Sequence, residues 1–562
     1  MFITISLVYC TVIACAHIPW GTIEQPEDEG IVRTAENAYY HYSLGIAHAI
    51  EGNHDAAIRE LETTLRIDPR SPYVKTQLAD LYVKKGNITK AVEILEKSLI
   101  YDPDFVDTRL LLGNLYINLK EHDNAIKEFK KIIQLDPEKI EPYLYLSILY
   151  RDKKKHADAI SILKKLIETD PDNIMACFYL GKIYAEMKLF SDAEHWFIKA
   201  ININPSFESA LVDLALVYEI QRKNTRAIDT YRKLLKTNPL NFDVRFKLGR
   251  LYLGMNSFDD ALREFKEILE LDHANTEARL SLGLVYFFEG KNFDKAIEQF
   301  KTVLISKPDN HRARYFLASS YEGKDAYDAA FREFEAIPPQ SKFYGTARVH
   351  MGIILKKQKR YDEAIALVRK ALDLKKREED LYSFLASLYE DKGDIARAEN
   401  TLKTGLQFMP RSVTIHYRFG VLYEKMNRFS DAIRHMEEVL KIDPHNAEAL
   451  NFIGYSYADR GIHLEKAEKM IKQALSLKPG NGYINDSLGW VYFRQSKLQL
   501  AIKYLEKAAL ILPGDPTIAE HLGDAYAVEG LFDKALKCYK KALKLGAKDQ
   551  KSLKKKISDM QK

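Results

Sequence analysis

Cysteine is scarce in this sequence, with four in 562 residues. Cys10 and Cys15 stand within the first fifteen positions, while Cys177 and Cys538 lie far apart along the chain. A disulfide requires two Cα atoms within about 7 Å, so no disulfide framework is read here. A dominant charge is lacking too: 84 basic residues face 79 acidic ones, for a net charge of +5. That balance gives no sequence-wide basic field, and nucleic acid is not an expected partner. No HExxH, GxSxG, P-loop or dinucleotide glycine fingerprint occurs. The fifteen histidines are scattered; His122, His156 and His463 fall at turns, where solvation is the simplest reading. Paired acids such as Glu437-Glu438 sit beside Lys and Arg and read as helix surface. Catalytic residues, metal ligands and cofactors are all expected to be none.

The longest apolar run, Phe2 to Ala16, is shorter than the ~20 residues a spanning helix needs. Its position and small-residue ending read as a secretory signal over residues 1–15, although no Lys or Arg stands near Met1. Two cleavage readings stay open. Val12-Ile13-Ala14-Cys15 resembles the bacterial lipobox, which would place a lipid on Cys15; this reading is favoured. Ala14-Cys15-Ala16 also fits ordinary signal-peptidase cleavage, which would leave a periplasmic or secreted protein. Residues 16–37 form an acidic, proline-containing tether. Two or more acyl chains suffice for stable attachment, and Ala16, rather than Asp, favours the outer membrane, facing the periplasm.

What is present is periodicity. Small residues recur at Gly45, Ala79, Gly113, Ser147, Gly181, Ala215, Gly249, Gly283, Ala318, Gly352, Ala386, Gly420, Gly454, Gly489 and Gly523, usually with tyrosine three residues later. Steps are 34 residues except for two of 35, each with an extra residue near Lys291-Asn292 or Ile462-His463. A second position, from Ala57 and Ala91 through Ala501 and Ala535, is alanine in all fifteen units. Most units close with Asp-Pro or Asn-Pro. Such a unit holds two helices of about a dozen residues and two short turns. Small residues let the helix axes approach, tyrosine on the same face fills the gap beside them, and proline ends one unit and opens the next. One hairpin cannot bury its apolar face alone, so neighbours stack.

On these residues the chain resembles the tetratricopeptide repeat family from about Ala38 to Asp549. The resemblance implies an all-α fold, a right-handed alpha-alpha superhelix of about fifteen hairpins, whose first helices line a concave groove. Unit nine is cut short by Ile337-Pro338-Pro339-Gln340, and unit ten closes on Leu374-Lys375-Lys376-Arg377 without proline. The expected division is therefore an N-terminal array over 38–339, a C-terminal array over 340–549 and a basic capping tail over 550–562, with a hinge at the proline seam.

Register selects the groove-facing positions of the first helices. In the middle units these are Phe178, Phe246, Phe287, Phe288 and Tyr315, with Lys182, Arg250 and Glu322. Nearer the C-terminus they are Tyr417, Tyr455, Asp486, Trp490, Phe493 and Arg494. Aromatics and arginine are common interface anchors, and such a groove suits proteins or extended peptides. The paired Lys and Asn of a chaperone-tail clamp are not evident, because Asn114 is followed in register by Ile148. The segments Asn451 to Tyr455, Asp459-Arg460-Gly461, Gly482 to Trp490 and His521 to Asp524 resemble a set in large bacterial outer-membrane repeat lipoproteins. That resemblance implies a scaffold or adaptor in the cell envelope, serving a carboxyl-terminal processing protease or wall enzyme. Alternatives are an assembly subunit for exopolysaccharide export or pilus biogenesis, and the repeat arm of a peptide-modifying glycosyltransferase system. Oligomeric state is not readable.

Overall fold

The computed structural model describes residues 37–290 and 292–560. Cys15, the signal segment and nearly all of the tether lie outside the described residues. Those described contain thirty-one α-helices and no strand. Thirty pair into fifteen hairpins, from Ala38–Ile50 with His54–Ile67 to Pro516–Val528 with Phe532–Lys544; the last helix, Gln550–Asp559, stands alone. The all-α fold and the number of hairpins are those the repeat predicts. No described helix is long and apolar enough to cross a membrane.

Local chemistry sets the helix boundaries. Many first helices open on a capping side chain, as at Asn173, Asn275, Asn310, Ser412, Asn446 and Asn481, each accepting the backbone N–H three residues on. The turn inside each hairpin then holds a residue at positive φ. Six are glycines, including Gly86 and Gly461; the others are Lys, Arg, Asn, Asp or Ser, as at Lys120 and Asn427. This residue completes a C-cap in which a following N–H returns to the tyrosine-position carbonyl: Glu121 N to Tyr116 O is 2.8 Å and Arg428 N to Tyr423 O is 2.8 Å. At the longer step near His463 the extra residue sits in the turn, with His463 itself at φ 48°.

Each hairpin closes on its small position, and the filler is not the tyrosine. It is the second-helix side chain 16 or 17 residues on. A Cβ added at Gly113 would lie 2.7 Å from Phe129, and one at Gly181 2.6 Å from Phe197. Gly283 faces Phe300 at 2.7 Å, and Gly523 faces Tyr539 at 2.6 Å. Where the small residue is Ala79 or Ala386, the opposing residue is Leu95 or Leu402, fully buried. Gly352 is filled instead by Phe384 of the next hairpin. All fifteen second-helix alanines are 0% exposed, as close helix packing requires.

The tyrosine three residues after the small position has a different task from the one expected. Its hydroxyl crosses to a glutamate on the preceding hairpin: Tyr116 to Glu96 at 2.6 Å, Tyr218 to Glu194 at 3.0 Å, Tyr423 to Glu399 at 2.9 Å and Tyr526 to Glu506 at 2.5 Å. The ring buries apolar area while the hydroxyl reaches its partner near the surface. A second polar motif ties several hairpins internally, joining the residue four before the small position to the second helix. His41 meets Glu60 at 2.6 Å, Arg245 meets Glu264 at 3.0 Å, and Arg314 meets Glu333 at 2.9 Å. The same first-helix residue often donates to the preceding loop, as Arg314 does to Pro308 O at 3.0 Å and Tyr382 to Lys376 O at 3.2 Å.

The described residues form two compact units that divide between Val244 and Arg245, near the start of the helix Phe242–Gly254. The proline seam lies inside the second unit. The helix before it, Tyr327–Glu335, is cut to nine residues as expected, but the segment that follows is tied down. Ile337 is fully buried. The Arg348 guanidinium donates to the carbonyls of Phe334 at 2.7 Å and of Glu335 and Ile337 at 3.1 Å. These bonds satisfy carbonyls that the shortened helix leaves open. At the C-terminal end the helix Gln550–Asp559 buries Leu553 against the last hairpins, and Lys556 bonds Asp524 at 2.7 Å and Glu520 at 3.0 Å.

One hairpin sets two imidazoles at the positions of this pair. His416 and His435 meet Nδ1 to Nδ1 at 2.9 Å. His416 Nε2 is 3.2 Å from Pro410 O, so its N–H donates there, and His435 supplies the proton between the rings. His435 stacks on Phe419 with centroids 4.5 Å apart. Burial, then the charges of His416 and Arg434, pull its pKa down to about 4, against the opposing pull of Asp431 and Glu438. The unfolded chain therefore takes up this proton at a higher pH than the folded one. The hairpin keeps its full stability above about pH 6.5 and loses it as pH falls toward about 4. Hydrogen exchange of Val413–Lys425 and Phe429–Ile442 is expected to accelerate over that window after correction for intrinsic rate. His435→Phe should remove this step, and an unchanged step would contradict the assignment.

Candidate functional site

The residues chosen by register meet different fates. Phe178 is corrected: it is only 7% exposed and packs edge-on to Phe207 with centroids 5.1 Å apart. It is a core residue, covered by the next hairpin. Phe246 is half-buried against Phe265. Phe287 and Phe288 join Phe316 in an aromatic cluster, with centroids 5.2 and 5.9 Å away, and Phe288 stays 53% exposed. Tyr315 stacks on Phe343 at 5.1 Å and meets His350 Nε2 at 3.1 Å through its hydroxyl, so it holds the proline corner together. Arg494 is corrected too. It donates to Asp459 O at 2.7 Å and lies over Gly461, where an added Cβ would come within 2.6 Å of the guanidinium. Its work is to close the end of the helix Ala447–Arg460.

Tyr417 and Tyr455 are brought together. They line a hollow of about 400 Å³ in the second unit, walled by the helices Val413–Lys425, Ala447–Arg460, Gly482–Arg494 and Pro516–Val528. Residues three and four apart share one face of a helix, so each first helix adds between one and four side chains to the wall. The aromatic part is Tyr417, Phe452, Tyr455 and the 56% exposed Tyr483. The polar part is Glu448, Asn451, Asp486 and Asp515. Burial, then Asp459, Asp486 and Glu424, raise the Tyr455 hydroxyl pKa well above its usual value, so it is a neutral donor and acceptor at physiological pH.

Beside the hollow lies a stacked array. Trp490 lies on Phe493, with centroids 4.9 Å apart, and on His521 at 4.1 Å, both 15° from parallel. His521 Nδ1 meets Asp486 Oδ1 at 3.0 Å with both side chains under a tenth exposed. Burial pulls the His521 pKa down, but Asp486, with Asp524 and Glu520 behind it, outweighs burial and raises it. Three buried polar atoms here have no hydrogen-bond partner among the described residues: Asn451 Oδ1, Asn485 Oδ1 and Trp490 Nε1. Such atoms are costly to leave unmade. Sequence reasoning missed His521, Asn451, Phe452, Glu448, Tyr483 and Asp515 as wall or support residues. Asn451, Phe452 and His521 lie in the segments that carry the lipoprotein resemblance.

This arrangement can hold a ligand by apolar contact and hydrogen bonding. Among the described residues no group of three or more His, Cys, Asp or Glu could hold a metal ion. Cys177 and Cys538 are free thiols, both held protonated by burial, and neither lines the hollow. Stacked two-helix hairpins that expose an aromatic and polar hollow define a protein-interaction scaffold.

Comparison with known proteins agrees. Tetratricopeptide repeat family models match residues 48–104, 86–147, 150–215 and 355–418, residues 246–301, 286–344 and 487–550, and residues 413–446. The chain belongs to the tetratricopeptide repeat family. It is 30% identical over 173 residues to TPR repeat-containing protein PA4667 of Pseudomonas aeruginosa, covering 30% of this chain and 29% of that protein. It is 23% identical over 239 residues to the antiviral innate immune response effector IFIT1 of Homo sapiens, covering 37% of this chain and 49% of that one. The chain thus spans half or less of the length of these curated relatives. Among solved structures, a chain of the APC/C hetero-tetramer Cut9-Hcn1 aligns over 94% of this chain and 97% of its own at 13% identity, with a TM-score of 0.39. Repeats of this family generally bind proteins or peptides, and the fold is typically non-catalytic.

The His521–Asp486 pair carries a pH signature. Its stabilisation is fully present below about pH 6.5, the unfolded value, and is lost as pH rises through the raised pKa of His521. Corrected hydrogen exchange of Gly482–Arg494 and Pro516–Val528 should therefore quicken as pH rises above about 6.5. Asp486→Asn should flatten that dependence; a wild-type profile in the variant would contradict the pairing.

Proposed function

We propose that this chain is an interaction scaffold of the bacterial cell envelope, tethered by a lipid on Cys15 to the outer membrane and facing the periplasm. It presents the hollow of its C-terminal repeats to exported partner proteins. Its most specific reading is an adaptor that brings a carboxyl-terminal processing protease or a wall enzyme to its substrate. The observation that carries the scaffold reading is the hollow itself, with aromatic walls and the unpartnered Asn451 Oδ1 on stacked hairpins. Sites built on helices hold their geometry better than sites on loops, and a partner segment docking there would offer Asn451 a donor. The envelope location rests on the apolar run Phe2–Ala16 and the Val12-Ile13-Ala14-Cys15 motif.

A photo-crosslinking residue at Tyr483, on the rim of the hollow, should trap a discrete set of exported proteins from the membrane fraction. The same residue at Leu510, which is 82% exposed on a second helix, should not. Equal recovery from both positions would contradict the site. Cys15→Ser should move the protein out of the membrane fraction or block its processing; an unchanged fraction would contradict the anchor.

A further inference from the structure

We infer that the hollow walled by Tyr417, Tyr455 and Tyr483 is a socket for a lysine or arginine side chain carried on an extended segment of a partner protein. This rests on the scaffold reading above and names the chemistry of the docked residue.

The argument begins with charge. The wall holds three carboxylates, Glu448, Asp486 and Asp515, and no lysine or arginine. Each carboxylate has a partner of its own that leaves it part of its accepting capacity. Asp515 turns one oxygen, Oδ1, toward the amides of Thr517 and Ile518 at 2.8 and 3.1 Å. Asp486 is held by His521. Glu448 is met by Lys478 from outside the wall, in an ion pair whose two side chains are both about half exposed. Such an exposed pair is weak and exchangeable.

Aromatic faces come next. Tyr417 and Phe452 stand edge to face at 6.4 Å, and Tyr455 and Tyr483 complete the wall. Ring faces attract a cation, more strongly as water is excluded. A third observation is independent of both. Asn451 lines the hollow with a buried Oδ1 that has no partner. It is an acceptor, and a cationic side chain brings three or five N–H donors. An anionic side chain would instead meet carboxylates and carbonyl oxygens, so the hollow selects against it. A volume of about 400 Å³ holds one long side chain and its neighbours.

The probe is a phage-displayed library of random dodecapeptides panned on the full-length chain, followed by anisotropy on fluorescein-labelled winners. Selected peptides should share a Lys or Arg that cannot be replaced by Gln or Glu. Tyr483→Ala and Glu448→Lys should each weaken them about tenfold with unchanged circular dichroism. Lys478→Met, which frees Glu448, should tighten them. Winners without a required basic residue would overturn the cation assignment. Basic winners that bind all three variants as they bind wild type would overturn the socket while leaving the scaffold reading intact. Failure to select any peptide would overturn both.

Discussion

Everything in this molecule depends on one fit: a residue with little or no side chain on the first helix of each hairpin, met by a large side chain from the second. Gly113 with Phe129, Gly181 with Phe197 and Gly523 with Tyr539 are instances in which an added Cβ would come within 2.7 Å of the opposing ring. The fit brings the helix axes together, buries the second-helix alanine completely, and leaves the remaining faces free to stack on neighbours. Because interiors pack near crystal density, volume removed on one side is returned on the other. Ala79 faces Leu95 rather than phenylalanine, and Gly352 is filled by Phe384 from the following hairpin.

Polar bonds set upon this apolar frame give register and individuality. The tyrosine–glutamate bonds join neighbouring hairpins, and the pairs Arg245–Glu264 and Arg314–Glu333 each tie one hairpin within itself. Exposed ion pairs contribute little to stability, but a largely buried pair such as Arg245–Glu264, with side chains 12% and 8% exposed, leaves an unsatisfied charge when one partner is lost. Departures from the pattern are therefore informative. Two imidazoles replace the ion pair at His416 and His435, and His521–Asp486 joins first helices of adjacent hairpins beside the hollow. Both lie in the C-terminal repeats, where the side chains are most specialised.

Much of the fold is legible in the sequence because its signal is repeated fifteen times. The helix pairs, the turns and the alanine positions follow from spacing alone. What spacing does not show is which side chain fills which gap. Tyrosine three residues after the small position was the natural filler, yet the filler comes from the other helix, and the tyrosine turns instead to a glutamate of the preceding hairpin. The proline seam read as a hinge because Pro338-Pro339 break a helix; Arg348, four residues before the small position Gly352, gave no sign that it would bind three carbonyls. Among the candidate site residues, Tyr417 and Tyr455 line a hollow, whereas Phe178 is core and Arg494 closes a helix end. Register fixes the face of a helix, but the width of the next hairpin decides whether that face is covered.

The most direct test of the central fit is a double-mutant cycle at Gly181 and Phe197, read by hydrogen exchange of Ile174–Glu186 and Phe190–Ile203. Gly181→Ala alone should destabilise the hairpin by overpacking, on the order of 1–3 kcal/mol, and Phe197→Leu alone should destabilise it by leaving a void. Combined, they should cost less than their sum, with a restoring coupling of about 0.5–3 kcal/mol. Simple additivity of the two losses would contradict the account.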